Sequence, residues 1–515
     1  MPEPTPPDPQ TEDKPANLLD KILTAIERIG DKLPDPITLF FFLSLAILAI
    51  SAIAAWANVS VVHPGTQETI SAVSLLTADG VRRIVTEATQ NFITFPPLGV
   101  VLVAMLGVGV AEYTGLLAAV LRRLVLFAPA RLISPVVVFA GVMSNLASDA
   151  GYVVLVPLGA VIFRAFKRHP IAGLAAAFAG VSGGFSANLL IGPTDSLLAG
   201  LSQSAAQIID PNYGVNATAN FYFMFISTFL IMLVGWYVTD KIVEPRLGVY
   251  QPENQEEDIT ELTAAERKGL RWAGLALLAY LAFIAILTLP PQGILRDPET
   301  QALIPSPFIN GIVFLIAIAF FIPGVVYGKV AGTIQNDRDV AKGLSHSMSS
   351  LGYYIALAFI AAQFIAYFSW SNLGVILAIN GAELIQASGF SGPPLLILFI
   401  LLSGFINLFV GSASAKWAIM APVFIPMLML VGLSPELTQA AYRIGDSTMN
   451  IVTPLMPYFP VVVAFGQRYD RDLGIGKLIS LMLPYSLAFL LAWSILFVAW
   501  FVLNIPLGPG APIRI

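Results

Sequence analysis

In the stretch RIGDSTMNIVTP, residues 443 to 454, two full charges stand inside an otherwise apolar region. Arg443 and Asp446 are three positions apart, so a helix puts both on one face, where they can neutralise each other or each meet a ligand of opposite charge. An ionisable side chain near the centre of a membrane helix costs at least about 2.5 to 3.5 kcal/mol, which makes such groups candidates for function. The bland alternative is an ion pair that only fixes helix packing.

The remaining ionisable residues within apolar runs are Glu112, Asp149, Asp195 and Lys416. Asp195 follows Pro193 in GPTD and can carry a proton, bind a substrate amine or cap a helix start. In SASAKWAIMAP, Trp417 offers an aromatic face to a planar or cationic ligand, and Ser412 and Ser414 offer hydroxyls; interfacial anchoring is the other role open to the tryptophan. Lys416 is expected to snorkel outward, and Glu112 and Asp149 to lie near an aqueous mouth. Four neutral amides, Asn145, Asn188, Asn407 and Asn450, each precede a proline: Pro157, Pro193, Pro422 and Pro454. An asparagine carbonyl is a hard-oxygen ligand for a small cation, and equally a helix cap. GVSGG, residues 180 to 184, matches a serine-nucleophile pattern, with Ser182 as nucleophile and His346 as base. Such Gly/Ser strings are more often close-packing sites in membrane helices, and no strand precedes Ser182.

The elements that must position these groups are membrane helices. The chain has 515 residues, 57% hydrophobic and 11% charged, with a mean hydropathy of +0.79, where a soluble domain carries about 25% charged residues. Apolar runs near 36–57, 97–121, 171–200, 221–240, 270–290, 306–327, 347–370, 436–465 and 478–504 predict nine transmembrane helices, each long enough to cross about 30 Å of hydrocarbon. Two longer segments, 132–163 and 393–432, are interrupted by SNLASDAG and NLFVGSASAKW and read as re-entrant helical hairpins. The expected fold is an all-α polytopic membrane protein. Its divisions are an arm at 1–33, a first half at 34–240, a linker at 241–269 and a second half at 270–515. The arm begins Pro-rich and acidic, and continues as a short amphipathic helix with Leu18, Leu19, Ile22, Ile26 and Ile29.

Counted this way, 21 basic residues fall in segments on one side and 4 on the other, the asymmetry of the positive-inside rule, with the amino terminus cytoplasmic and the carboxyl terminus periplasmic. Each half repeats one order, a hairpin followed by a Pro-broken helix, and the two hairpins enter from opposite sides. That is an inverted repeat, the usual frame of an alternating-access transporter. With no cysteine there is no disulfide, thiol nucleophile or thiolate metal site. Nothing suggests a nucleic-acid partner. A passive channel remains a rival to a coupled transporter.

With the hairpins, GPTDS, SASAKWAIMAP and RIGDSTMNIVTPLMPYFP in place, the chain resembles the AbgT family of bacterial p-aminobenzoyl-glutamate transporters over nearly its whole length. The resemblance implies a homodimer in the bacterial inner membrane, no enzymatic activity, and proton-driven export of sulfonamides and other p-aminobenzoate-type antimetabolites. Sodium-coupled uptake of p-aminobenzoyl-glutamate or another carboxylate is the alternative. It carries transport roles onto Asp195, Ser414, Trp417, Pro435, Arg443, Asp446 and Pro454, and implies a sodium ion near the second hairpin with Asn407 and Asp446 as ligands. Asn450, Asn145 and Asn188 complete the set of sodium candidates, and H+ is the implied coupling ion.

Overall fold

The computed structural model describes residues 35–62, 67–126, 129–147, 151–248, 250, 262–303, 306–453, 456 and 458–515. The amino-terminal arm, Asp149, Pro454 and, within the 241–269 linker, residues 249 and 251–261 lie outside the described residues.

The first helix, α1 (Pro36–Trp56), is apolar all round, as a helix facing both lipid and protein must be. A short β-hairpin, Ser60–Val62 paired with Thr69–Ser71, leads to α2 (Ala78–Ile93) and, after a break at Thr94 and Phe95, α3 (Pro96–Tyr113). There follow α4 (Leu116–Leu126), α5 (Ile133–Ser144), α6 (Val156–Ala165), α7 (Pro170–Phe178), α8 (Pro193–Ala206), α9 (Phe221–Val238), α10 (Ala264–Thr288) and α11 (Ile312–Ala331). The last group is α12 (Asp337–Ser350), α13 (Gly352–Trp370), α14 (Leu373–Ser388), α15 (Pro393–Asn407), α16 (Ala413–Met429), α17 (Pro435–Asn450), α18 (Phe459–Gly466) and α19 (Ile475–Val502).

Among the described residues, seven helical stretches are long and apolar enough to cross a membrane: Pro36–Trp56, Ala78–Tyr113, Phe221–Leu247, Ala264–Thr288, Ile312–Ala331, Gly352–Trp370 and Ile475–Val502. The protein is a multi-pass, predominantly helical membrane protein. The runs expected as single spans at 171–200 and 436–465 are each two helices, α7 with α8 and α17 with α18. Each break has a local cause. Gly192 and Pro193 end one irregular stretch and start α8, because proline fits the first helical turn, where its missing N–H is not needed. Past Asn450 the chain leaves the helix at Ile451, three residues ahead of Pro454.

Helices α3, α10 and α11 pack together on one side, with most of α10 exposed, including Trp272, Leu275, Leu278 and Ile286. On the other side α15 packs on α17, α16 on α8 and α14, and α19 on α17 and α9. The α15 to α17 crossing is very close: a Cβ on Gly445 would lie 2.3 Å from the Ile400 carbonyl oxygen, so only glycine fits. Residues after α19 fold back on the turn before α17, where Ser434 N donates to Ile513 O at 3.2 Å and Ser434 Oγ to Pro512 O at 2.6 Å.

Candidate transport site

Helix α17 is the centre of the site. Ser434 caps it by accepting from Leu437 N at 3.1 Å, and Pro435 occupies its first turn. Its sequence is polar, yet every residue except Met449 is buried. A polar helix enclosed in protein requires partners from its neighbours, because each unpaired buried polar group costs about 1 to 3 kcal/mol.

Arg443 and Asp446 do share a face, but each takes its ion pair from another element. Arg443 Nη2 lies 2.6 Å from Asp195 Oδ1 on α8 and donates to the Ser186 carbonyl at 2.9 Å. Asp195 is fixed in turn, since its Oδ2 accepts from Gly192 N at 2.7 Å. The Arg443 side chain is 2% exposed and that of Asp195 13%. Arg443 Nε and Ser186 Oγ are buried with no hydrogen-bond partner among the described residues. Ser186 N donates to Ser447 Oγ at 3.1 Å, which ties the irregular segment before α8 to α17.

Asp446 pairs with Lys416. The ammonium sits 2.6 Å from Asp446 Oδ1 and 2.6 Å from Asn407 Oδ1, with both charged side chains 1% exposed. Asn407 Nδ2 closes the cage by donating to Asn450 Oδ1 at 2.8 Å and to the Asp446 carbonyl at 2.9 Å. This corrects the expectation that Lys416 snorkels: its neighbours on α16 are buried, so no aqueous boundary is within reach, and a carboxylate and an amide replace water around it.

The cage also bears on the implied sodium ion. Of the oxygens that would ligate it, Asn407 Oδ1 and Asp446 Oδ1 already accept from Lys416 Nζ, and Asp446 Oδ2, buried without a hydrogen-bond partner among the described residues, belongs to that same carboxylate. Two like unit charges within about 4 Å repel by about 4 kcal/mol at the effective dielectric of such sites. The residues present therefore do not fit a bound sodium ion beside that ammonium. Asn145 and Asn188 do not join the cage. Asn145 caps α5, its Nδ2 donating to Val142 O at 3.1 Å, and its buried Oδ1 has no partner among the described residues. Asn188 Oδ1 accepts only from Leu190 N, at 3.5 Å.

Trp417 is fully buried and is not an interfacial anchor. Its ring stacks on Tyr442 with centroids 4.3 Å apart and planes 28° from parallel, and its Nε1 donates to Ser202 Oγ at 3.0 Å. From Ser202 a polar chain continues to Gln439 Oε1 at 2.6 Å, from Gln439 Nε2 to Asn220 Oδ1 at 2.8 Å, and from Asn220 Nδ2 to the Glu436 carbonyl at 2.8 Å. Glu436, itself buried, accepts from Tyr213 Oη at 3.1 Å. Ser414 lies at the start of α16, 3.2 Å from Ser412 Oγ. Ser202, Asn220, Glu436 and Gln439 were missed from sequence. The signal was present in α17, where Glu436, Gln439, Arg443, Ser447 and Asn450 recur at helical spacing as a polar stripe.

Ser182 and His346 are not brought together. Ser182 Oγ contacts the Met456 thioether at 3.3 Å, and His346 packs on Tyr113 with ring centroids 5.8 Å apart. Among the described residues no histidine, aspartate or glutamate is hydrogen-bonded to Ser182. Glu112 lies half-buried in the last turn of α3.

Broken helices that gather buried Arg443, Asp195, Lys416 and Asp446 beside a stacked aromatic pair define a membrane transporter rather than an enzyme. The profile of the AbgT putative transporter family matches residues 21–515, and the chain belongs to that family. It is 41% identical over 490 residues to the p-aminobenzoyl-glutamate transport protein of Escherichia coli (strain K12), covering 95% of this chain and 96% of that one. Two solved structures are similar, each 49% identical. The Alcanivorax borkumensis YdaH transporter, described as having an unusual topology, superposes with a TM-score of 0.89 over 92% of this chain and 100% of that one. Neisseria gonorrhoeae MtrF, described among a class of antimetabolite efflux pumps, superposes with a TM-score of 0.91 over 95% of this chain and 100% of that one.

Proposed function

We propose that this protein exports p-aminobenzoyl-glutamate-like aryl solutes, including sulfonamide and p-aminobenzoate-type antimetabolites, in exchange for protons. The observation that carries this is the unfinished polar site at Arg443. A buried guanidinium with one N–H unpaired, next to a hydroxyl also unpaired, has capacity left for the anionic end of a solute. Asp195 on the same guanidinium, when ionised, accepts from an aryl amine. A proton arriving on that carboxylate removes its charge and turns one oxygen into a donor, so its hold on the amine weakens, proton and solute compete, and exchange follows. Trp417 and Tyr442 supply the aromatic wall once they are uncovered.

The same reading gives the chain nine transmembrane helices and two re-entrant hairpins in an inverted repeat, an inner-membrane location with the amino terminus cytoplasmic, and a homodimeric assembly. The short apolar helices at 133–144, 151–165, 393–407 and 413–429 support the hairpins, and the distribution of basic residues supports the orientation. The cage around Lys416 speaks for protons over sodium as the driving ion.

Counterflow in proteoliposomes with p-aminobenzoyl-glutamate and a sulfonamide, under separately imposed pH and sodium gradients, tests the proposal. Uphill movement driven by the pH gradient is expected, with collapse on adding an uncoupler. Equal wild-type rates for Asp195→Ala and Asp446→Ala would sink the mechanism, and transport insensitive to any gradient would make the protein a channel.

A further inference from the structure

We infer that Lys416 is the resident cation of the Asn407, Asp446 and Asn450 cage, and that this covalently attached ammonium takes the place a free alkali cation would otherwise hold. The inference concerns which cation fills the cage and is independent of the solute carried. Three observations support it. Two of the cage's side-chain oxygens, Asp446 Oδ1 and Asn407 Oδ1, are each 2.6 Å from Nζ, at the short end for a charge-assisted hydrogen bond, which leaves Asp446 Oδ2 buried without a hydrogen-bond partner among the described residues. The remaining amide groups are spent holding those oxygens in place, since Asn407 Nδ2 reaches Asn450 Oδ1 and the Asp446 carbonyl. The third is the surroundings. Nζ lies 5.2 Å from the Tyr442 ring centroid, so an aromatic face completes its environment.

The charged and titratable groups on the packed elements are otherwise committed or remote. On α17, Arg443 pairs with Asp195 of α8, and Glu436 holds Tyr213. Glu383 of α14 is exposed. Apart from Asp446, none of these forms an ion pair with Lys416. A cation tethered to α16 and bound to α15 and α17 welds the segment 393–432 to the broken helix at the level of its charges. A diffusible ion in the same place would leave that joint dependent on salt composition.

The test is sodium binding by the purified full-length protein in detergent. It is read as saturable retention of radioactive sodium and as the melting temperature in sodium against choline at equal ionic strength. Wild type is expected to retain no sodium saturably and to melt alike in both salts. Lys416→Ala is expected to melt lower in choline and to recover in sodium, with saturable retention near one ion per chain. Sodium-specific stabilisation or saturable retention by wild type overturns the inference. A folded Lys416→Ala protein that takes up no sodium also overturns it. If Lys416→Ala does not fold, the pair of charges decides: Asp446→Asn should lower the melting temperature and Lys416→Met with Asp446→Asn should restore most of the loss, whereas a double variant no better than the single one refutes the assignment.

Discussion

Trp417 and Tyr442 lie face to face across α16 and α17, with ring centroids 4.3 Å apart, and the indole N–H points away from the stack to Ser202. One face of the tryptophan is thus covered by the tyrosine while its polar edge is held by a third helix. Any solute that uses that face of the indole must first separate it from Tyr442, and Ser202 fixes where the ring stands when that happens. Ser202→Ala leaves both the Trp417 N–H and Gln439 Oε1 without a partner, a loss of about 1 to 3 kcal/mol. Thermal unfolding should show the loss, and altered tryptophan emission should accompany it. Trp417→Phe, which keeps a stacking ring, should retain more transport than Trp417→Ala. Equal transport by the two variants would remove the aromatic wall from the mechanism.

Arg443 is predicted to be indispensable for anionic solutes. Arg443→Ala strips the partner from Asp195 and should lower solute binding at least about tenfold, a change of about 1.4 kcal/mol. Arg443→Lys should recover only part of this, because an ammonium cannot serve Asp195, the Ser186 carbonyl and a solute with a planar fork. Binding of p-aminobenzoyl-glutamate to the purified variants provides the measurement. Wild-type affinity in Arg443→Ala would place the solute elsewhere.

Acid should weaken the turn between α6 and α7. His169 Nδ1 accepts from Ile171 N at 3.2 Å and so caps α7 as a neutral imidazole. Burial lowers its pKa from the ordinary 6.5, with nearby Glu244 and Asp470 opposing the shift. The unfolded chain then binds a proton more readily than the folded one. The stabilisation is complete above pH 6.5 and is lost as pH falls through the lower folded value. Melting temperature should fall over that interval in wild type. His169→Asn, which caps without titrating, should flatten this part of the profile; an unchanged slope would assign the effect to another group.

Gly445→Ala should be among the most damaging small substitutions in the protein. A methyl group there meets the Ile400 carbonyl at 2.3 Å, and backbone cannot move aside as a side-chain tip can. The expected loss is about 1 to 3 kcal/mol, seen as a lower melting temperature or poor yield in the membrane. Gly274→Ala, within α10 and with open space around its Cβ, is the control and should be no less stable than wild type.

Much of the helical plan was legible because a membrane imposes length and hydropathy on any segment that crosses it. The long helices α1, α9, α10, α11, α13 and α19 fall on expected runs. The breaks at Pro193 and beyond Asn450 were legible because proline and glycine act locally. Charge pairing was not. Helical spacing says that Arg443 and Asp446 share a face, but it cannot say that α8 brings Asp195 to one and α16 brings Lys416 to the other. Lys416 was misplaced for the same reason, since a long flexible side chain reveals nothing of its destination. The four asparagines looked equivalent by position, yet among them Asn407 and Asn450 are the pair that bond to each other, at the close crossing of α15 and α17. Ser202 and Gln439 gave a weaker signal still, being ordinary residues whose importance lies in the indole that one of them holds.

The Gly445 to Ile400 approach also limits how the molecule can move. Two helices whose main chains touch have no side-chain layer between them to act as a bearing, so α15 and α17 can neither slide nor roll on one another and must travel as a single lever. Elsewhere α17 is joined to its neighbours through side chains, by Arg443 to Asp195 on α8 and by Asp446 to Lys416 on α16.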